Sequence, residues 1–177
     1  MKAVEEFLLQ EHISILLSEL WNNPALQRIS SLCYLENGGK LLMLQRNKEP
    51  FRGHWTAPGG KLEPPEDPRQ TIIREIWEEA GLTLKDPKLK MITSETGEEQ
   101  EYNWLVFIFR AHQFSGSLKQ CDEGILQWVP REKIFDSQIP DVDRKLLPMI
   151  LENEKRYFVR LKFNYLHQVD SLQSISF

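Results

Sequence analysis

Three glutamates carry the first chemical signal in this chain. Glu75, Glu78 and Glu79 stand at i, i+3 and i+4, so a helix through them gathers all three on one face within a single turn. Arg74 flanks them, and Ile72, Ile73, Ile76 and Ala80 largely take the other sides. Without a partner, each like-charged pair costs the helix roughly 0.2–0.5 kcal/mol, and the carboxyl pKa values rise. A hard divalent cation reverses both effects. Mg²⁺ takes oxygen ligands and keeps waters and substrate phosphates in its remaining positions. Two such ions can clamp the attacking and leaving oxygens of a phosphoryl displacement. Taken alone, the three acids also suit an ordinary solvated helix face.

The wider segment, Gly60 to Leu82, reads GKLEPPEDPRQTIIREIWEEAGL. It resembles the Nudix box, in which Gly60, Glu66, Arg74, Glu75, Ile76, Glu78, Glu79, Gly81 and Leu82 fill every specified position. Seven of these are fixed identities, each with a background frequency of roughly 7% or less, so chance agreement is negligible. The resemblance implies an α/β/α sandwich around a mixed sheet, and hydrolysis at a pyrophosphate bond of a nucleoside diphosphate linked to a second group, with Mg²⁺ or Mn²⁺. It places Glu75, Glu78, Glu79 and the carbonyl of Gly59 at metal-ligand positions, with Glu66 and Arg74 in support. A later acid completes many such sites. Glu123 is the best match here, with Asp122 as neighbour and a plain surface turn as the bland reading. Glu79 or Glu123 would take the proton of the attacking water.

From about Arg28 to Phe163 the chain also resembles the MutT-like, oxidised-purine nucleoside triphosphatase group. Leu41–Arg46 followed by Gly53–Lys61 matches the approach to the box, which makes Arg46 and Lys61 candidates for the phosphates. Gln127–Pro130 and Ile139-Pro140-Asp141 match later segments. Asp141 would bond a base edge or simply cap a helix, and Phe51, Trp55 and Ile139 would wall a base pocket or pack in the core. The chain departs from the group at Thr56, where an asparagine reads the base, and at Pro65, where glycine is common. The resemblance thus implies a nucleoside triphosphate pyrophosphohydrolase acting on 8-oxo-dGTP. Hydrolysis of ADP-ribose, a dinucleoside polyphosphate or another conjugate is the alternative inside the family, and a non-catalytic nucleotide sensor the alternative outside it.

These residues need elements to position them. Asp67-Pro68 reads as an N-cap with proline at the first helical position, starting a helix that ends at Ala80 before Gly81. Leu26–Leu35 and Lys40–Arg46 read as a hairpin about Asn37-Gly38-Gly39, and 47–65 as loop. Leu89–Thr96 and Tyr102–Ala111 form a second hairpin around Gly97, whose run Trp104–Phe109 is apolar throughout and suits a strand covered on both faces. Ile125–Val129 is another strand, Asp141–Asn153 a helix and Tyr157–Phe163 the last strand. The class is α/β (α+β), with residues 26–177 as the domain and 1–25 as an N-terminal extension. That extension holds an amphipathic helix over 3–21, stopped by Asn22-Asn23-Pro24, with Val4, Phe7, Leu8, Ile15 and Leu16 on its stripe. The stripe needs cover, from the sheet, from a second copy in a homodimer, or from another partner.

Composition sets the outer bounds. The chain has 177 residues, 41% hydrophobic, with a formal net charge of −4. That suits one folded domain and excludes a disordered chain. The acidic balance argues against a nucleic-acid polymer as partner. No apolar run is long enough for a membrane span, and two cysteines cannot build a disulfide framework. Glu5, Glu6 and Glu11 interrupt any signal-peptide core. The expectation is a cytoplasmic protein.

Overall fold

The computed structural model describes residues 2–11, 28–97, 103–151 and 154–177. Its centre is β7 (Asn103–Ala111), flanked by β6 (Lys88–Gly97) and β1 (Arg28–Asn37). β6 pairs with β7 antiparallel, whereas β1 pairs with it in parallel, so the sheet is mixed. β10 (Tyr157–Phe163) and β11 (Val169–Ser176) extend one edge. β2 (Lys40–Arg46), β3 (Trp55–Thr56) and β9 (Gly124–Pro130) extend the other. Successive β7 side chains face opposite ways, as strand geometry requires. Leu105, Phe107 and Phe109 enter one core; Val106 and Ile108 enter the other. The run Trp104–Phe109 is apolar throughout because both faces are covered.

Helix α1 (Lys2–Gln10) and helix α2 (Pro68–Ala80) supply the first core, where Val4, Phe7 and Leu8 meet Ile72, Ile76 and Ala80. Helix α3 (Asp141–Leu151) supplies the second with Leu146, Leu147 and Ile150. Layers of helix, sheet and helix result.

One strand arrangement prepares the site. The first half of β1 pairs with β4 (Gly59–Lys61) and its last residues pair with β2. β4 therefore enters where β1 and β2 part. Gly59 is required there: its φ is 142°, and a Cβ would lie 2.2 Å from the Ser31 carbonyl oxygen.

Several expectations change. The segment 47–65 is not all loop, because β3 and β4 lie within it. β5 (Leu82–Lys85) pairs with β8 (Gln113–Gly116) in a small second sheet, and β11 follows the strand expected to be last. The first hairpin turns on Gly38 and Gly39, with φ of 56° and 74°, while Asn37 stays paired with Lys40. The helix expected over 3–21 is described over 2–10. Ile15, Leu16 and the Asn22-Asn23-Pro24 stop lie outside the described residues, as do Leu26, Tyr102 and Asn153.

The α1 stripe, as far as it is described, is spent inside the chain. The Phe7 ring sits edge-on to Phe107 with centroids 5.7 Å apart, and the Arg69 guanidinium lies over Phe7 at 5.9 Å. Arg69 also pairs with Glu11, and Arg156 donates to the Glu11 carbonyl at 2.9 Å. A dimer through α1 would have to use its other face. Phe7→Ala is expected to lower unfolding stability by about 3–5 kcal/mol. The check is a denaturant titration, with the midpoint falling at unchanged slope.

Candidate active site

The site is built from the start of α2 outward. Asp67 caps the helix by accepting from the Arg69 and Gln70 amides, Gln70 returns a bond to the Asp67 amide, and Pro68 follows the cap. The Ser31 hydroxyl donates to the Pro68 carbonyl at 2.8 Å, fixing α2 against β1. The helix then buries Thr71, Ile72, Ile76, Glu79 and Ala80; Glu75 and Glu79 meet β4, and Glu78 is left exposed. At Gly60 a Cβ would meet the Glu75 carboxylate at 2.3–2.6 Å, so the missing side chain is the space that this carboxylate occupies. The Gly59 amide donates to Glu79 Oε2 at 3.0 Å.

Arg74 wires the acids together. Its Nε and Nη2 donate to the two oxygens of Glu66 at 2.7 and 3.0 Å. Its Nη1 donates to Glu75 at 3.0 Å and Glu78 at 3.1 Å, and Nη2 also reaches the Lys61 carbonyl at 3.1 Å. That fork geometry is what a guanidinium provides and an ammonium does not. Bonding from Arg74 holds the Glu66 carboxyl below the usual range, and the Glu66 bonds in turn raise the pKa of Arg74. Burial pushes Glu75 up against the opposing pull of Arg74. Glu79 has no such bond to Arg74. Burial, then the charges of Glu75 and Glu123, push it up to about 8, offset in part by the Gly59 amide and by Arg46.

Glu123 comes from the turn before β9, and its charge raises the pKa of both Glu75 and Glu79. Lys48 Nζ stands 3.3 Å from Glu123 Oε1. Arg46 lies close enough to stabilise the Glu79 anion, while its own Nε donates to the Pro50 carbonyl at 2.9 Å. The Lys61 side chain is exposed beside the cluster.

Comparison with known proteins gives the family. The NUDIX domain family model matches residues 26–150. The chain belongs to the NUDIX family. It is 33% identical over 133 residues to the Nudix hydrolase YvcI of Bacillus subtilis, covering 73% of this chain and 82% of that protein. It is 31% identical over 138 residues to the oxidized purine nucleoside triphosphate hydrolase of Danio rerio, covering 77% and 86%. The crystal structure of a MutT protein from Bacillus halodurans superposes with a TM-score of 0.75 at 29% identity, covering 83% of this chain and 97% of that one. The chain is a Nudix hydrolase with the α/β/α fold its box implies.

In this Nudix hydrolase the acidic cluster fits a hard cation by its chemistry. Glu75, Glu78, Glu79 and Glu123 offer only oxygen donors, and burial, with neighbouring carboxylates adding to it, raises the proton affinity of Glu75 and Glu79. Among the described residues, no three acidic, histidine or cysteine side chains are gathered as a ready-made metal cage. Each carboxylate has another donor instead: Arg74 takes Glu75 and Glu78, the Gly59 amide takes Glu79 and Lys48 takes Glu123. A cation would compete with those donors. No helix among the described residues is long and apolar enough to cross a membrane.

The residues expected at a base pocket divide. Thr56 is buried, and its hydroxyl oxygen has no hydrogen-bond partner. Trp55 is half-buried against the second core, with Ile139. The Phe51 ring lies 6.1 Å from His54 and 6.0 Å from His167. Asp141 uses one oxygen for Lys145 at 2.8 Å and the other for the Val169 amide at 2.9 Å, so its carboxylate ties α3 to β11. Asp143, two residues on, is the acid that sequence reasoning missed. The Tyr34 hydroxyl donates to it across 109 residues of chain, a pairing no local spacing announces. Desolvation pushes Asp143 up to about 6, against the Tyr34 bond and nearby His54.

A carboxyl raised this way makes the folded protein hold a proton that the unfolded chain releases. Its contribution is present below the ordinary aspartate range and is lost as pH rises through about 6. Asp143→Asn removes that slope. From pH 4 to pH 7 the variant is expected to gain on wild type by about 1–3 kcal/mol, measured as the difference between their denaturation free energies.

Proposed function

We propose that this Nudix hydrolase is a metal-dependent nucleoside triphosphate pyrophosphohydrolase, with 8-oxo-dGTP as its substrate and a nucleoside monophosphate and pyrophosphate as products. The observation that carries the phosphoryl chemistry is the pair Glu75 and Glu78 held on the Arg74 guanidinium, with Glu79 held by the Gly59 amide and Glu123 by Lys48, both beyond the reach of Arg74. Glu75, Glu78, Glu79, Glu123 and the Gly59 carbonyl would hold Mg²⁺ or Mn²⁺. When bound, the ion neutralises charge on the phosphate oxygens and acidifies water.

The chain's own residues do the rest. Arg74 keeps Glu75 and Glu78 in place, and Glu66 keeps Arg74 in place. Glu79, buried beside the Gly59 amide, or Glu123 would take the proton of the attacking water. Arg46 and Lys61 offer positive charge to the phosphates. Catalysis is mostly positioning and electrostatics, since the transferring group needs no covalent bond to the protein.

Purine selectivity is supported by the second cluster. Asp143 is crowded but keeps part of its surface open, so its carboxyl, held from behind by the buried Tyr34, offers a hydrogen bond for a base edge. The buried Thr56 hydroxyl is a further unspent group. Asp141, with both oxygens engaged by α3 and β11, fits that role less well.

The test is a product-resolved panel with Mg²⁺: 8-oxo-dGTP, the ordinary dNTPs, ADP-ribose and dinucleoside polyphosphates. Pyrophosphate release with the highest kcat/KM on 8-oxo-dGTP is the expected result, and preferential cleavage of ADP-ribose or a dinucleotide would refute the substrate assignment. Glu78→Gln is expected to cut kcat by roughly 10²–10³-fold, the scale of losing one preorganised electrostatic contact. Its fold should survive, because the change removes charge from a repelling cluster. Excess EDTA should stop turnover, and undiminished rates in EDTA would overturn the metal requirement.

A further inference from the structure

Glu123 stands on the turn before β9, far in sequence from the acids of α2, so its position depends on what holds that turn. The β2–β9 ladder ends at Arg46 paired with Gly124. Beyond that point Asn47 continues the contact twice. Its amide donates to the Glu123 carbonyl at 2.9 Å, and its side-chain Nδ2 donates to the Asp122 carbonyl at 2.9 Å. The first bond extends the strand register by one residue. The second belongs to the side chain alone and grips the residue before Glu123. The turn is closed from its other end by the Glu123 amide, 3.4 Å from Cys121 Sγ, and by the bridge between Cys121 and Gly124. Gly124 permits no relief, since a Cβ there would meet the Gln45 carbonyl oxygen at 1.9 Å.

We infer that Asn47 is a positioning residue whose side-chain amide holds the Asp122–Glu123 turn and so fixes where the Glu123 carboxylate stands. The inference rests on the reading of Glu123 as part of the catalytic cluster. Lys48, the next residue, holds the Glu123 carboxylate itself, so one short segment controls both the backbone and the charge of this acid. Asn47 touches neither the reacting atoms nor the other acids in this scheme; it acts through Glu123.

A double-mutant cycle on the full chain tests it. Asn47→Ala is expected to lower kcat roughly 5- to 10-fold, the scale of one net hydrogen bond, with KM unchanged. Introduced into Glu123→Gln, it should cost nothing more, because the group it positions is already disabled. Equal losses in the two backgrounds would overturn the inference. Full kcat in Glu123→Gln alone would overturn the reading of Glu123, and the inference with it, so the two failures are distinguishable. The metal-free protein gives an independent readout. Amide hydrogen exchange across residues 121–124 should quicken in Asn47→Ala while exchange in β7 stays slow; unchanged exchange at the turn would also overturn the inference.

Discussion

The guanidinium of Arg74 is the point on which the site depends. It neutralises Glu66 through a two-bond fork and shares a second face with Glu75 and Glu78. Carboxylates packed this closely on one helical turn would repel and take up protons. Arg74 prevents this for Glu66 and moderates it for Glu75, but it leaves Glu79 outside its reach. The result is a graded set: one carboxyl held well ionised, one pushed up, and one pushed up to about 8. Burial sets the larger part of this gradation and unequal access to Arg74 the rest.

The fold serves that arrangement at the place where β1 separates from β2. β4 fills the gap, and its two glycines do different jobs. Gly59 passes against the β1 backbone and offers its amide to Glu79, while Gly60 leaves the space that Glu75 occupies. Capping at Asp67 and the Ser31 bond fix the helix at its start, so the acids about two to three turns later are held by rigid elements. Glu123 alone arrives on a turn, and it is correspondingly clasped by Asn47 and Lys48.

The two faces of the sheet divide the labour. The face that carries α2 also carries α1, whose Phe7 fills the space over Phe107 and Phe109. Residues at the start of the chain are thereby integral to the layer that supports the acidic helix. The opposite face carries α3, which brings Asp143 to Tyr34 and ties Asp141 to the β11 backbone.

What the sequence determined by itself was local in origin. The cap, the helix and the carboxylate face between Asp67 and Gly81 depend on spacing within a few residues, and so does the apolar run of β7; each is legible because helix and strand periods are short. The family and its fold were legible for the same reason, through an uninterrupted box. Tertiary structure decided the remainder. β4 and β11 have no period long enough to read, the former being three residues and the latter mostly exposed. The cover for the described part of the α1 stripe, the choice of Asp143 over Asp141 at Tyr34, and the grip of Asn47 on the Glu123 turn join residues far apart in sequence. Such pairings are set by how the layers pack, and a buried hydrogen bond between distant residues leaves no mark on the spacing of either partner.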